Sequence, residues 1–303
     1  MVILLIAVLL LDLFVLVKLI YAFRLLRMPT STVEDADLPS VSVCIPARNE
    51  THAMTQCLER VVASDYPKLE IIVLDDGSRD DTSVLIKSFA HSGVRFVEGK
   101  QLPDGWLGKN YAQANLAQEA SGKIILFMNV DTRIERYTIR KLVGHMVASK
   151  TQMMSVIPLR NDNWQTSTLM TPMRYFWAMV RHMPSRPRAV SNAWLVERQF
   201  LIDQLKSDQS LQLSMLLETC LARKLADAGK YRLVISNKVL GLRYEKKWSS
   251  QLETSIRILY PQCDAYTLQV AWLILLLALT LVPYVAVFWQ PWALVPIVLQ
   301  YAI

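Results

Sequence analysis

The sequence predicts an α/β fold, a mostly parallel sheet with flanking helices, set between apolar helices at the two ends of the chain. Three observations predict it. Apolar runs of strand length alternate with helical-period segments between Val41 and Asn129, the pattern of parallel strands joined by right-handed crossovers. Three of those runs stop at polar clusters: Pro46-Ala47-Arg48-Asn49-Glu50, Asp75-Asp76-Gly77-Ser78 and Asp131-Thr132. Met1–Phe23 carries only Asp12 and Lys18 as charges, and Tyr266–Trp289 carries none.

Taken in order, Met1–Phe23 comes first. As a helix its 23 residues span roughly 35 Å, enough to cross a bilayer. It has no basic start, short apolar core or small-residue cleavage site, so it reads as an uncleaved anchor rather than a secretory signal. Arg24 and Arg27 follow it and nothing basic precedes it, which puts Thr30 onward in the cytoplasm. Thr30–Ser40, polar and acidic with a proline, reads as a linker.

Val41–Ile45 is the first strand. Glu50–Ser64 repeats Met54, Leu58, Val61 and Val62 at helical spacing and is stopped by Ser64-Asp65-Tyr66-Pro67. A strand at Ile71–Leu74, a short helix at Thr82–His91, a strand at Val94–Val97 after Gly93, a helix at Lys109–Ala120 closed by Ser121-Gly122, and a strand at Lys123–Asn129 follow. Beyond Asp131 the reading is a helix at Tyr137–Ser149, a strand at Met153–Leu159, and a helix at Thr166–His182. Next come a helix at Leu211–Ala228 ended by Gly229 and a strand at Tyr231–Ile235.

Thr166–His182 mixes methionines and aromatics with Arg174 and Arg181, and two readings stand: an interfacial helix or a methionine-rich core helix. Trp248–Leu259 is amphipathic and leads into the apolar run Tyr266–Trp289, edged by Trp272, Tyr284, Trp289 and Trp292. Pro291 breaks that run. The apolar residues to Ile303 read as a re-entrant or short returning helix, or as the start of a longer segment. The resulting division is an anchor at 1–24, a linker at 25–40, two halves of one domain at 41–135 and 136–240, an interfacial segment at 241–265 and membrane segments at 266–303.

Composition narrows the partners. The 303 residues are 52% hydrophobic with a mean hydropathy of +0.25, and the excess sits at the ends. The net charge of +7 is not accompanied by a zinc-finger spacing or a basic-aromatic module, so no nucleic acid is expected. Basic residues crowd near the apolar ends and in Arg174–Arg188, where anionic lipid head groups are the simpler partner. Cys44, Cys57, Cys220 and Cys263 show no paired or metal spacing and are expected as reduced thiols. His52, His91, His145 and His182 likewise lack metal spacing and read as surface or packing residues.

In an open α/β sheet, ligands bind beyond the carboxyl ends of parallel strands. The acidic and amide groups at three such ends therefore describe one polar pocket, suited to a sugar-nucleotide and a divalent metal. The segments carrying them are Ser42-Val-Cys-Ile-Pro-Ala-Arg-Asn-Glu50, Val73-Leu-Asp-Asp-Gly-Ser-Arg-Asp-Asp-Thr82, Gly108-Lys-Asn-Tyr-Ala112 and the strand ending at Asp131. In this order they resemble family 2 glycosyltransferases, closely over about ninety residues and more weakly through Gly229.

The resemblance implies a GT-A fold and inverting transfer from a nucleotide-activated sugar, with a UDP-sugar favoured. It places Ala47, Asn49 and Glu50 against the base and ribose, Asp76 on the base and Lys109 toward the pyrophosphate. Asp131 would hold Mg²⁺ or Mn²⁺. The family's Asp-x-Asp stands here as Asn129-Val130-Asp131, so one carboxylate remains, with Asn129 offering a neutral oxygen or contacting the sugar. Weaker metal affinity is the expected cost.

The usual Glu-Asp base pair before Leu-Ala-Arg stands as Leu217-Glu218-Thr219-Cys220-Leu221-Ala222-Arg223, which makes Glu218 the expected catalytic base. The Gln-x-x-Arg-Trp motif of processive synthases is absent. Leu102-Pro-Asp-Gly-Trp-Leu-Gly-Lys109 resembles a loop of family 2 enzymes acting on carotenoid-like or hopanoid-like lipids, with Trp106 expected to be exposed. The implied reaction is transfer of one sugar to a lipid-borne hydroxyl at the cytoplasmic membrane face. A non-catalytic nucleotide-binding membrane subunit is the alternative, favoured by Asn129 and Leu217. A nucleotidyltransferase would need a glycine-rich, arginine-bearing loop that the sequence lacks.

Overall fold

The computed structural model describes residues 1–28, 37–160, 175–245, 260–261, 263 and 266–302. Its centre is a seven-stranded sheet built from β1 (Val41–Ala47), β2 (Leu69–Asp75), β3 (Val94–Glu98), β4 (Ile124–Met128), β6 (Met153–Ile157), β8 (Ala193–Glu197) and β9 (Tyr231–Ile235), in the order β3-β2-β1-β4-β8-β6-β9. Strands β1 to β4 pair in parallel, as do β6 and β9, whereas β8 is antiparallel to both of its neighbours. A small three-stranded sheet joins β5 (Thr132–Arg133), β10 (Arg243–Tyr244) and β7 (Leu159–Arg160) beside the end of β4.

Successive residues of β1 point to opposite faces, and both faces are covered. Val41, Val43 and Ile45 pack with Ile71, Val73 and Leu126 against the helices α2 (Thr51–Val62), α3 (Thr82–Ser88) and α5 (Thr138–Ala148). Cys44, Ile72, Leu74 and Phe127 face α4 (Gly108–Glu119), α7 (Arg198–Ser207) and α8 (Leu217–Lys224), while α6 is the short helix Trp177–Val180. The Phe127 ring stacks on Trp194 of β8 at a centroid distance of 4.6 Å. Described cysteines are free thiols, and burial pushes the Cys57 thiol up to about 12.

The pattern of parallel strands is as expected. Strand β8 and helix α7 were not: an antiparallel strand inserted between parallel ones breaks the strand–helix alternation that identified the others. The helix expected at Leu211–Ala228 is shorter, Leu217–Lys224, preceded by a 3₁₀ turn at Gln209–Leu211. The buried Asn110 causes this, because its Nδ2 donates to the carbonyls of Leu211, Gln212 and Ser214 at 3.0, 3.1 and 2.9 Å. Backbone groups held by a side chain in a turn do not continue a helix. Most of the expected helix at Thr166–His182, and all of Trp248–Leu259, lie outside the described residues.

Helix α1 (Val2–Leu26) has a hydropathy of 3.0, and the stretch Thr267–Ala286, made of α9 (Thr267–Thr280) and α10 (Val282–Ala286), has 2.2. Both are long and apolar enough to cross a membrane. After a turn at Pro291–Ala293, α11 (Leu294–Ala302) returns against α1. Asp12, buried within α1, accepts a hydrogen bond from Gln300 Nε2 at 3.0 Å, and the same nitrogen donates to the Thr280 carbonyl at 3.2 Å. The carboxyl inside α1 is thus a polar joint between three helices. The foot of α1 is seated on the sheet: Leu26 is buried in the core and Arg27 forms a bridge with Ile235 of β9.

Candidate active site

Past the carboxyl ends of β1, β2 and β4 lies a cavity of about 580 Å³. Ala47, Glu50, Asp76, Lys109, Asn129, Asp131 and Glu218 all line it, as do Arg181, Arg188, Trp177 and Met215 from the far half of the domain. Seven of the eight residues singled out from the sequence therefore share one space, and Asn49 is the exception.

The first wall is the pair of loops after β1 and β2. Asn49 takes a left-handed backbone, φ 55°, tolerated by Asn better than by most residues. That turn sends its side chain away from the cavity, where Oδ1 accepts from the Arg79 N–H at 2.8 Å, while its own N–H donates to Ser78 Oγ at 3.0 Å. Asn49 thus braces two loops. Asp75 is buried and structural, accepting from the Ser78 N–H at 3.1 Å and from the hydroxyls of Ser78 and Ser83. Asp76 faces the cavity. Burial raises its carboxyl above the usual range, Arg48 at 4.0 Å pulls it back in part, and the nearby Asp75 adds to the rise.

The second wall carries Asp131 on a tightly held turn. The Asn129 N–H and the Thr132 hydroxyl both donate to the Asn192 carbonyl at 3.0 Å, and the Glu245 N–H donates to the Asp131 carbonyl at 3.0 Å. Arg133 pins the same turn from behind, with Nη1 donating to the Val130 carbonyl at 2.6 Å and Nε lying 3.4 Å from Glu245. Asn192, the residue just before strand β8, supplies the carbonyl that fixes this turn, and that strand was unrecognised in the sequence.

One carboxylate oxygen each of Glu50 and Asp131 and one ring nitrogen of His52 lie within 4.8 Å of one another. Two carboxylates and an imidazole are a donor set that fits a divalent cation, so the residues present suit the metal that the family implies. Glu50, expected against the base and ribose, stands beside Asp131 at the cavity wall, since the start of α2 abuts the end of β4. His52, read as a surface or packing residue, belongs to this set. Sequence spacing hid it because the partner carboxylate is 79 residues away and meets it only through the pairing of β1 with β4.

The third wall is the first turn of α4 with the start of α8. Lys109 Nζ, expected at a pyrophosphate, donates to the buried carboxylate of Glu218. Leu217, at the family's other acidic position, is fully buried in the core. Trp106 is half-buried rather than exposed, its ring edge-on to Tyr111 at 5.4 Å. On the far side, Arg181 Nη2 donates to Gln269 Oε1 of α9 at 2.8 Å, tying the cavity's rim to an apolar helix. The positions of Arg181 and Arg188 had no motif to announce them.

The model of glycosyl transferase family 2 matches residues 42–203. An N-acetylglucosaminyltransferase of Rhizobium leguminosarum bv. trifolii is 31% identical over 167 residues, 50% of this chain and 86% of that protein. The probable glycosyltransferase YdaM of Bacillus subtilis (strain 168) is 35% identical over 111 residues, 35% of this chain and 26% of that one. The chain thus spans most of the first relative and about a quarter of the second.

Among solved structures, the mannosyltransferase PcManGT from Pyrobaculum calidifontis, in complex with GDP-Man and Mn²⁺, superposes with a TM-score of 0.61 at 17% identity, over 98% of this chain and 95% of that one. Glucosyl-3-phosphoglycerate synthase from Mycobacterium tuberculosis, in complex with Mn²⁺, UDP and glucosyl-3-phosphoglycerate, does so at 0.52 and 19%, over 77% and 86%. At these identities the likeness is one of fold. With the sheet, the loops at its strand ends and the matched segment in agreement, the chain belongs to glycosyl transferase family 2 and is a glycosyltransferase with the GT-A fold.

Proposed function

We propose that this chain moves a single sugar, with inversion, from a nucleotide-sugar donor, a UDP-sugar by preference, to a hydroxyl of a lipid-borne acceptor at the cytoplasmic face of the cell membrane. The observation that carries the reading is the convergence of Asp76, Lys109, Asp131 and Glu218 on one cavity. The cavity's rim is bonded to an apolar helix through Arg181 and Gln269. Residues 41–135 form the donor half and 136–240 the acceptor half. The apolar segments at both ends hold the domain at the lipid surface.

Asp76 accepts hydrogen bonds from the donor's base, and Ala47 leaves space for it. Asp131 and Glu50 hold the Mg²⁺ or Mn²⁺ ion, with Asn129 offering a neutral oxygen to the ion or to the sugar. The ion supplies charge neutralisation for the departing diphosphate. Lys109 serves two anions: bonded to Glu218 without donor, its ammonium turns to the diphosphate when the donor enters, which releases the Glu218 carboxylate. Glu218 then takes the proton of the acceptor hydroxyl while that oxygen's electron pair attacks the anomeric carbon and the bond to the diphosphate oxygen breaks.

One set of observations favours a second reading, a nucleotide-binding membrane subunit without catalysis: Asn129 and Leu217 replace acidic residues, and Glu218 is already paired with Lys109. The two are separated by assaying the purified full chain in detergent with UDP-N-acetylglucosamine, UDP-glucose and GDP-mannose, membrane lipid extract and Mn²⁺. Transfer that Glu218→Gln abolishes while donor binding persists supports the enzyme and its base. Donor binding without transfer to any lipid supports the subunit. Full transfer by Glu218→Gln removes Glu218 as the base.

A further inference from the structure

We infer that His52 is a third protein ligand of the donor's divalent cation, replacing the carboxylate missing at Asn129 and making this a mixed nitrogen–oxygen site that prefers Mn²⁺ to Mg²⁺. This rests on the reading of Asp131 as the metal residue and extends it.

The three donors reach one point from two separate places in the fold. Asp131 sits on the clamped turn after β4, buried and fixed by the bonds at Asn192 and Glu245. Glu50 immediately precedes α2, its N–H held by Thr82 Oγ1 at 2.8 Å, and His52 is the second residue of that helix. The backbone on both sides is therefore fixed before any cation arrives. Bonds of about 2.1 Å allow two ligands of one ion to stand at most about 4.2 Å apart. The three donor atoms lie within 4.8 Å of one another, so the set closes with a small rotation of the exposed His52 ring. Glu50 and Asp131 also line the cavity, so an ion held by them would adjoin the space proposed for the diphosphate.

The nitrogen decides the metal. Mg²⁺ takes oxygen ligands in near-ideal octahedra and gives up water reluctantly, whereas imidazole suits transition metals. A site whose second carboxylate is replaced by an amide at Asn129 and supplemented by an imidazole loses more for Mg²⁺ than for Mn²⁺. The sequence-based expectation of weakened metal affinity then holds for Mg²⁺ alone.

The test is cation binding to the full chain in detergent, measured by titration calorimetry with Mn²⁺ and Mg²⁺, with and without UDP, and by ¹⁴N hyperfine coupling in the spectrum of bound Mn²⁺. The wild type is expected to bind Mn²⁺ at least tenfold tighter than Mg²⁺ and to show imidazole nitrogen coupling. His52→Ala, at an exposed position and so expected to melt like the wild type, should lose that coupling and about tenfold in Mn²⁺ affinity, with Mg²⁺ changed less than twofold. His52→Ala with unaltered coupling and Mn²⁺ affinity overturns the inference. If Asp131→Ala abolishes Mn²⁺ binding at the same time, the metal role of Asp131 survives and only the third ligand falls.

Discussion

Removing the side-chain amide of Asn110 should unseat the helix that carries the proposed base. Asn110 is 1% exposed and its Nδ2 offers two N–H groups to three carbonyls between Leu211 and Ser214. In Asn110→Ala two buried donors disappear and the three acceptors lose their partner. A net hydrogen bond is worth about 1 kcal/mol, and a buried acceptor left without one costs about 1–3 kcal/mol. Two of the three carbonyls are only part-buried, so each loss sits at the low end, about 1 kcal/mol, and three give about 3 kcal/mol. For a domain of this size that lowers the melting temperature by roughly 6–12 °C.

Asn110→Asp keeps the shape but turns an oxygen of full negative charge toward the same three carbonyls, so it should be worse than alanine. The assay is thermal unfolding of the purified chain in one detergent, followed by tryptophan fluorescence, alongside sugar transfer. Both variants should lose transfer more than donor binding, because Leu211–Ser214 leads into α8 and Glu218 whereas Asp76 and Asp131 stand on other loops. Melting of Asn110→Ala within 1 °C of the wild type, or Asn110→Asp more stable than Asn110→Ala, refutes the reasoning.

Two further outcomes are expected. At Gly99 an added Cβ would lie 2.7 Å from the Asp75 carbonyl oxygen and 3.0 Å from the Asp76 Cα; Gly99→Ala should therefore displace the Asp75-Asp76 loop and weaken nucleotide binding tenfold or more. Equal UDP affinity by calorimetry contradicts this. Burial pushes His182 down from 6.5 to about 4. The unfolded chain therefore binds the proton first, and the stability from a neutral His182, at most about 3 kcal/mol, is complete above pH 6.5 and lost as pH falls toward 4. Urea unfolding at pH 7.5, 6 and 4.5 should show His182→Asn flattening that slope; the same slope in both proteins rules His182 out.

The parallel half of the sheet was legible because its information is local. Val41–Ala47, Leu69–Asp75 and Ile124–Met128 are short apolar runs, buried on both faces, that end where acidic residues begin. What escaped depends on distant partners. Ala193–Glu197 is as apolar as the others, but it runs antiparallel to both of its neighbours. The turn at Leu211–Ser214 has helical spacing, and a side chain 101 residues away overrides it.

Asp76, Lys109, Asp131 and Glu218, singled out by residue type at a strand end or helix start and by the family resemblance, line one cavity. Asn49 stands outside the cavity lining because a positive φ turns it toward Arg79, a choice the sequence does not print. The metal-site place of His52 and the partner of Asp12 were invisible for one reason: Asp131 stands 79 residues from His52, and Gln300 lies 288 from Asp12.

The central claim is that Asp131 and its neighbours hold a cation that in turn holds the donor's diphosphate. Titration of UDP into the full-length protein, with and without Mn²⁺, for wild type and Asp131→Ala, tests it most directly. The account predicts binding that Mn²⁺ strengthens at least tenfold in the wild type and not at all in Asp131→Ala. Equal UDP affinity in all four titrations would contradict it.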